Sequence, residues 1–176
     1  RGAGRIGEGR QLGPTGRLTN VVAGNDCSLD ETVAIDVVVE NGVTCGPRAY
    51  LRPGTHLLDG AHVGTHVEIK KSTIGEGSKV PHLSYIGDTT MGAGVNVGAG
   101  SITCNYDGKK KHATTNGNRT FIGSDTMMVA PVNIGADVVT GASSCITRDV
   151  PDGALAVERS DQRIVEGYTE LRRARL

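Results

Sequence analysis

Aliphatic residues recur along the chain at steps of six: Cys45, Leu51, Leu57, Val63 and Ile69. A step of five reaches Ile74, and Val80 and Ile86 follow at six. Another five gives Met91, with Val97 at six. After a gap the phase resumes with Ile122, Met128, Ile134, Thr140 and Ile146. Gly often follows an anchor directly, as at Gly46, Gly64, Gly98, Gly123 and Gly141. Small or β-branched residues such as Val43, Ala49, Thr55 and Val67 stand two positions ahead of the anchors.

A period of six fits neither an amphipathic helix nor a series of hairpins. It fits an all-β fold, a parallel β-helix built of hexapeptide repeats, with a corner every six residues. The anchor points into the core and the next residue turns the corner, where Gly tolerates unusual dihedrals. Three hexads make a triangular coil of eighteen residues, and coils stack at about 4.8 Å. Upstream of Cys45 the pattern weakens: Ile6 and Leu12 fit, while Leu18, Ala23, Leu29 and Ile35 fit loosely. Residues 1–44 therefore read as less regular coils.

Two interruptions stand out. From about 102 to 115 the repeat stops in SITCNYDGKKKHATTNG, where Asp107-Gly108 signals a turn and the lysines favour solvent. This reads as a loop thrown out of one coil. After Val150 the repeat ends in Pro151-Asp152-Gly153. The expected division is a β-helix domain over 1–150 and a C-terminal arm over 151–176, with Asp161 to Arg175 as a short helix or a flexible arm.

Composition fits a repeat. Of 176 residues, 26 are Gly and only 3% are aromatic, which argues against an ordinary globular core. Lys plus Arg and Asp plus Glu each total 19, so charge suggests neither a nucleic-acid nor a membrane partner. No apolar run is long enough to span a bilayer. The chain begins with Arg1 and so reads as a fragment or processed product; no signal peptide is legible. Cys27, Cys45, Cys104 and Cys145 form no CxxC and read as small apolar fillers in a reducing cytosol.

Some residues are not required by the repeat. Arg52 and Lys70 are eighteen apart with no irregular step, so they share a column on adjacent coils. Both replace a corner Gly. Two cations that close repel unless an anion or water intervenes. A phosphate clamp is the functional reading, and a solvated basic face the alternative. His82, in KVPHLSYIGD, lies two residues past anchor Val80. If the loop interrupts only one coil, Ala99, Ser124 and Ala142 continue its column. Such small residues leave a groove of about 14 Å over three coil steps, suited to a long thin ligand. A surface His without a role is the alternative. His62 and His66 build no closed ligand set with His82, so metal binding is not expected.

KKSTIGEGSKVPHLSYIGD, VNVGAGSITCNYDGKKKHATT, GPRAYLRPGT, FIGSDTMMVAPVNIG and DVPDGALAV together carry a resemblance. They resemble the C-terminal acetyltransferase domain of the bifunctional N-acetylglucosamine-1-phosphate uridyltransferase/glucosamine-1-phosphate acetyltransferase family. The likeness runs from about Gly46 to Gly167. It implies a left-handed parallel β-helix that forms homotrimers, with sites between subunits, in the cytoplasm. It implies acetyl transfer from acetyl-CoA to the 2-amino group of glucosamine-1-phosphate, on the route to UDP-N-acetylglucosamine and the cell envelope. Matching positions make His82 the general base. They make Arg52, Lys70, Tyr85, Asn96 and Lys111 sugar-phosphate residues. Ala99, Asn105, Tyr106, Ser124, Ala142 and Arg159 fall on acetyl-CoA positions, and no metal is implied.

The chain departs from the family in three respects, the first being a tail, SDQRIVEGYTELRRARL, that matches only loosely beyond Gly167 and is assigned no chemistry. Asn116 stands where the family has an aliphatic anchor, and the Gly-rich nucleotide-binding sequence of the uridyltransferase domain is absent. Three other readings remain: another hexapeptide acyltransferase, a non-catalytic trimerisation scaffold, and a carbonic-anhydrase-like metalloenzyme, which the histidine spacing opposes.

Overall fold

The computed structural model describes residues 4–9, 11–13 and 15–173. Arg1 and the end of the arm, including Arg175, lie outside the described residues. Among the described residues the chain forms 23 short strands and one helix, Tyr168–Arg173. All ladders between strands are parallel, and strands of three successive coil positions stack into three faces. The result is the β-helix that the period of six predicts.

The register can be followed on each face. On the first, Leu51 pairs with Ile69, and Ile69 with Ile86. On the second, Leu57 pairs with Ile74, and Met91 pairs with Asn116, which pairs with Ile134. On the third, Cys45 pairs with Val63, Val63 with Val80, and Val97 with Ile122. These aliphatic anchors point inward and are almost wholly buried. Each large aliphatic side chain so buried contributes about 1.5–3 kcal/mol against exposure. No single hexad could bury its anchor alone, so neighbouring coils form one continuous core.

Both five-residue steps, Ile69 to Ile74 and Ile86 to Met91, fall at the corner between the first and second faces. There Lys71 and Asp88 adopt left-handed φ of 47° and 50°. The shortened corners therefore tighten the chain beside Lys70 and Gly87.

Three details differ from the sequence reading. Ala34, not Ile35, is the inward anchor, pairing with Leu51 and fully buried. The step from Leu29 to Ala34 takes five residues, which a count in sixes overshoots. The repeat also persists through Ile102–Cys104, which pairs with Met127–Val129, and resumes at Thr114–Asn116. Thr103 is the anchor there. It escapes an aliphatic search, yet its hydroxyl accepts from Gly87 N–H at 2.7 Å and bonds the Gly87 carbonyl at 3.2 Å. The projecting loop is thus narrower, residues 105–113. Finally, the ladder extends to Leu155–Ala156, which pairs with Val139–Thr140.

Cys27 and Cys45 are buried as fillers, and all four cysteines are free. Burial, with Cys27 nearby, pushes the Cys45 thiol well above the ordinary range. Cys104 and Cys145 are partly exposed.

Candidate active site

The strand Tyr85–Gly87 is flanked by two corners, and the expected site residues divide between them. At the corner that follows, Arg52 and Lys70 do stack: Arg52 N–H donates to the Ile69 carbonyl at 2.8 Å. Neither cation is bare, however. Arg52 Nη1 donates to Glu68 Oε1 at 2.8 Å, which raises the guanidinium pKa. Lys70 Nζ donates to both Asp88 oxygens, at 3.0 and 2.8 Å. The two carboxylates remove the repulsion that the sequence left uncompensated.

The same cluster holds Tyr85 and Asn105. Asn105 Nδ2 donates to Asp88 Oδ2 at 2.5 Å and lies 3.3 Å from Tyr85 Oη. Both side chains cross Gly87, where an added Cβ would meet Tyr85 Oη at 2.4 Å and Asn105 Nδ2 at 2.5 Å. Only Gly leaves room for that crossing. The resemblance put Asn105 with acetyl-CoA and Tyr85 with the sugar; in this fold the two are in contact. Glu68 and Asp88 were missed. Acidic residues one coil from each cation were the available signal.

The loop 105–113 borders this corner. Tyr106 and Lys111 form an antiparallel bridge, with Lys111 Nζ 4.3 Å from the centre of the Tyr106 ring. Asp107 accepts from His112 Nε2 at 2.7 Å and from the N–H groups of Lys109 and Lys110 at 2.7 and 2.8 Å. Led by the His112 bond, these donors hold its carboxyl at about 2. Lys111 and His112 line a cavity of about 310 Å³ together with Lys71 and Asp88.

The preceding corner is built differently. His82 ends the strand Lys79–His82, opposite Thr65. Carrying the register on from Lys79 opposite Asn96, Asn96 opposite Phe121 and Phe121 opposite Val139 sets Ala99, Ser124 and Ala142 in the column of His82. The Asp125 N–H to Ala99 carbonyl and Ser143 N–H to Ser124 carbonyl bonds, both 2.8 Å, fix this alignment. The loop therefore interrupts only one coil. Arg159 Nη1 donates to the Ala142 carbonyl at 3.1 Å, bringing the arm to the end of the column. Asn96 lies on the third face beside Lys79.

His82 is exposed, and among the described residues its ring has no hydrogen-bond partner. Both ring nitrogens are therefore available to an incoming group. The other histidines are engaged: His62 with Thr44, His66 with Thr65, His56 with Glu40 and His112 with Asp107. Burial, then Lys79 and His82, lower the His62 pKa. Among the described residues, no group of three or more His, Cys, Asp or Glu is arranged to hold a metal ion. No described helix is long and apolar enough to cross a membrane.

The fold class has a solved counterpart. A His-to-Ala variant of GDP-perosamine N-acetyltransferase from Caulobacter crescentus, in complex with CoA and GDP-perosamine, superposes with a TM-score of 0.59. It is 28% identical and covers 66% of this chain and 53% of its own. The chain thus has the fold of the hexapeptide-repeat acyltransferases. Within that class it is similar to bifunctional protein GlmU: 54% identical over 162 residues to the Syntrophomonas wolfei protein and over 163 to that of Heliobacterium modesticaldum. These alignments cover 92% and 93% of this chain. The chain spans about a third, 36%, of the length of those relatives. They bear out the resemblance read from the sequence. No protein-family model matches the chain.

Proposed function

We propose that the chain transfers acetyl from acetyl-CoA to the 2-amino group of glucosamine-1-phosphate. The register carries this reading: His82, Ala99, Ser124 and Ala142 form one column, a single strand away from Arg52, Lys70 and Tyr85. The similarity to bifunctional protein GlmU supports the acceptor, and the CoA complex of the structural neighbour supports the donor.

Arg52 and Lys70 take the sugar phosphate, with Lys111 approaching from the loop. The Arg52–Glu68 pair is 39% exposed on each side chain, and such a pair is worth only about 0–1 kcal/mol. A phosphate can therefore draw the guanidinium away from Glu68. Tyr85 and Asn96 orient the sugar. The thin CoA chain runs along Ala99, Ser124 and Ala142, where bulky side chains would stand in its way. Tyr106, Asn105 and Arg159 hold it from the loop and the arm.

His82 accepts the proton from the acceptor nitrogen, because only a neutral amine carries a free lone pair. The amine adds to the thioester carbonyl carbon, the C–S bond breaks, and the CoA thiolate takes up the second proton that the acceptor nitrogen sheds as the amide forms. Both reactants are held together, so no acyl-enzyme is needed. The Gly98–Ala99 backbone supplies a donor to the developing oxyanion.

Outward-facing Phe121, Val139 and Leu155 stack on the third face and are 49%, 43% and 68% exposed. This apolar column supports a homotrimer with sites between copies; action in the cytoplasm is proposed only on the resemblance. The deciding assay follows free thiol release from acetyl-CoA. Turnover is expected with glucosamine-1-phosphate and far less with glucosamine. A folded oligomer with no turnover would instead favour a trimerisation scaffold, and equal rates with glucosamine would remove the phosphate clamp.

A further inference from the structure

We propose that Asp88 is a positioning residue that staples the base of the loop 105–113 to the Lys70 corner. Its kinetic consequence rests on the acetyl-transfer reading; its structural consequence does not.

Asp88 bonds both ends of the loop. Its carboxylate accepts from Asn105 Nδ2, where the loop leaves the coil, and its carbonyl accepts from Thr114 N–H at 3.1 Å, where the loop returns. On the other side, Asp88 N–H donates to the Lys70 carbonyl at 3.0 Å, and its two oxygens hold Lys70 Nζ. One residue thus links the coil of Lys70 to the coil that carries the loop. Its side chain is only 10% exposed, against 21% for Lys70. Hydrogen bonds to an ionised acceptor shielded in this way are stronger than neutral ones. The backbone is specialised as well: Asp88 has φ 50°, a conformation that Asp and Asn adopt more readily than other residues with a side chain.

The loop carries Asn105, Tyr106 and Lys111. Two of these are proposed for acetyl-CoA and one for the sugar phosphate, so the position of the loop affects both ligands. Asp88 sets that position without needing to touch either reactant.

Asp88→Asn keeps the tolerance for left-handed φ and one oxygen acceptor but removes the charge. In the ligand-free protein, amide hydrogen exchange across 105–113 should rise about tenfold, as expected on losing charge-assisted bonds. Exchange in the aliphatic coils should stay unchanged. Asn105→Ala, which leaves the Lys70–Asp88 pair intact, should loosen the loop to a similar extent, and the double variant should add little. In turnover, Asp88→Asn should raise KM for acetyl-CoA about tenfold with kcat within about threefold. Unchanged loop exchange in both single variants would overturn the staple, whether or not the protein transfers acetyl groups. Raised exchange with unaltered KM would confine Asp88 to the loop and overturn its role in positioning the reaction. Absence of wild-type turnover would count against the acetyl-transfer reading and leave the exchange result to decide the staple.

Discussion

The corner after Tyr85–Gly87 is charged on three successive coils, through Arg52, Lys70 and Asp88, whereas at the corner before it the column of His82 continues only in small residues, Ala99, Ser124 and Ala142. The first corner is crowded and internally paired: each cation has a carboxylate within 3 Å. The second is sparse, and the ring of His82 has no partner among the described residues. The difference shows how a uniform repeat makes a site. Because each coil returns a residue to the same column, a few substitutions at corner positions become a vertical cluster. Paired charges gather at one corner, and small side chains leave the column at the other unobstructed.

The comparison can be broken by altering either corner. The largest effect is expected from His82→Ala: kcat should fall at least about a hundredfold, as for a lost general base, with melting unchanged. A variant that keeps wild-type kcat would remove His82 from the chemistry. Next, Ala142→Phe should fill the column and raise KM for acetyl-CoA about thirtyfold, leaving KM for the sugar phosphate nearly unchanged, since loss of good contacts of this kind costs about 2 kcal/mol. Equal effects on both ligands would place the channel elsewhere. Lys70→Ala should do the converse, raising KM for glucosamine-1-phosphate about tenfold while sparing acetyl-CoA.

The smallest effect lies away from both corners and should touch neither ligand. Asn116 occupies a core anchor position, 2% exposed, between Met91 and Ile134. Its Oδ1 has no partner, and its Nδ2 reaches only Met128 Sδ at 3.8 Å. An unpaired buried polar atom costs about 1–3 kcal/mol, so Asn116→Ile should raise the melting temperature by about 2–12 °C without changing kcat or KM. A lower melting temperature would mean that the amide has a function in the core.

Much of this arrangement was legible in the sequence because stacking is modular. Counting in sixes aligns Arg52 with Lys70, and Ser124 with Ala142. The family resemblance, rather than the count, set Asn116 at an anchor. Counting failed where the step was not six or the anchor was not aliphatic. Ile35 was chosen over Ala34 because the preceding corner is one residue short. Thr103 was lost to the apparent gap because its polarity is compensated by bonds to Gly87, which no periodicity reveals. Glu68 and Asp88 escaped because they act between coils, through side-chain reach rather than position in the period.

The sequence by itself determined the β-helix, its columns and the types of side chain offered along them, because a repeated apolar spacing permits few ways to bury its anchors. The tertiary structure alone decided how those side chains pair. Carboxylates meet cations, Asn105 crosses Gly87 to reach Asp88, and the loop closes on itself, because hydrogen bonds depend on distances of a fraction of an ångström between residues 16 to 20 positions apart in the chain.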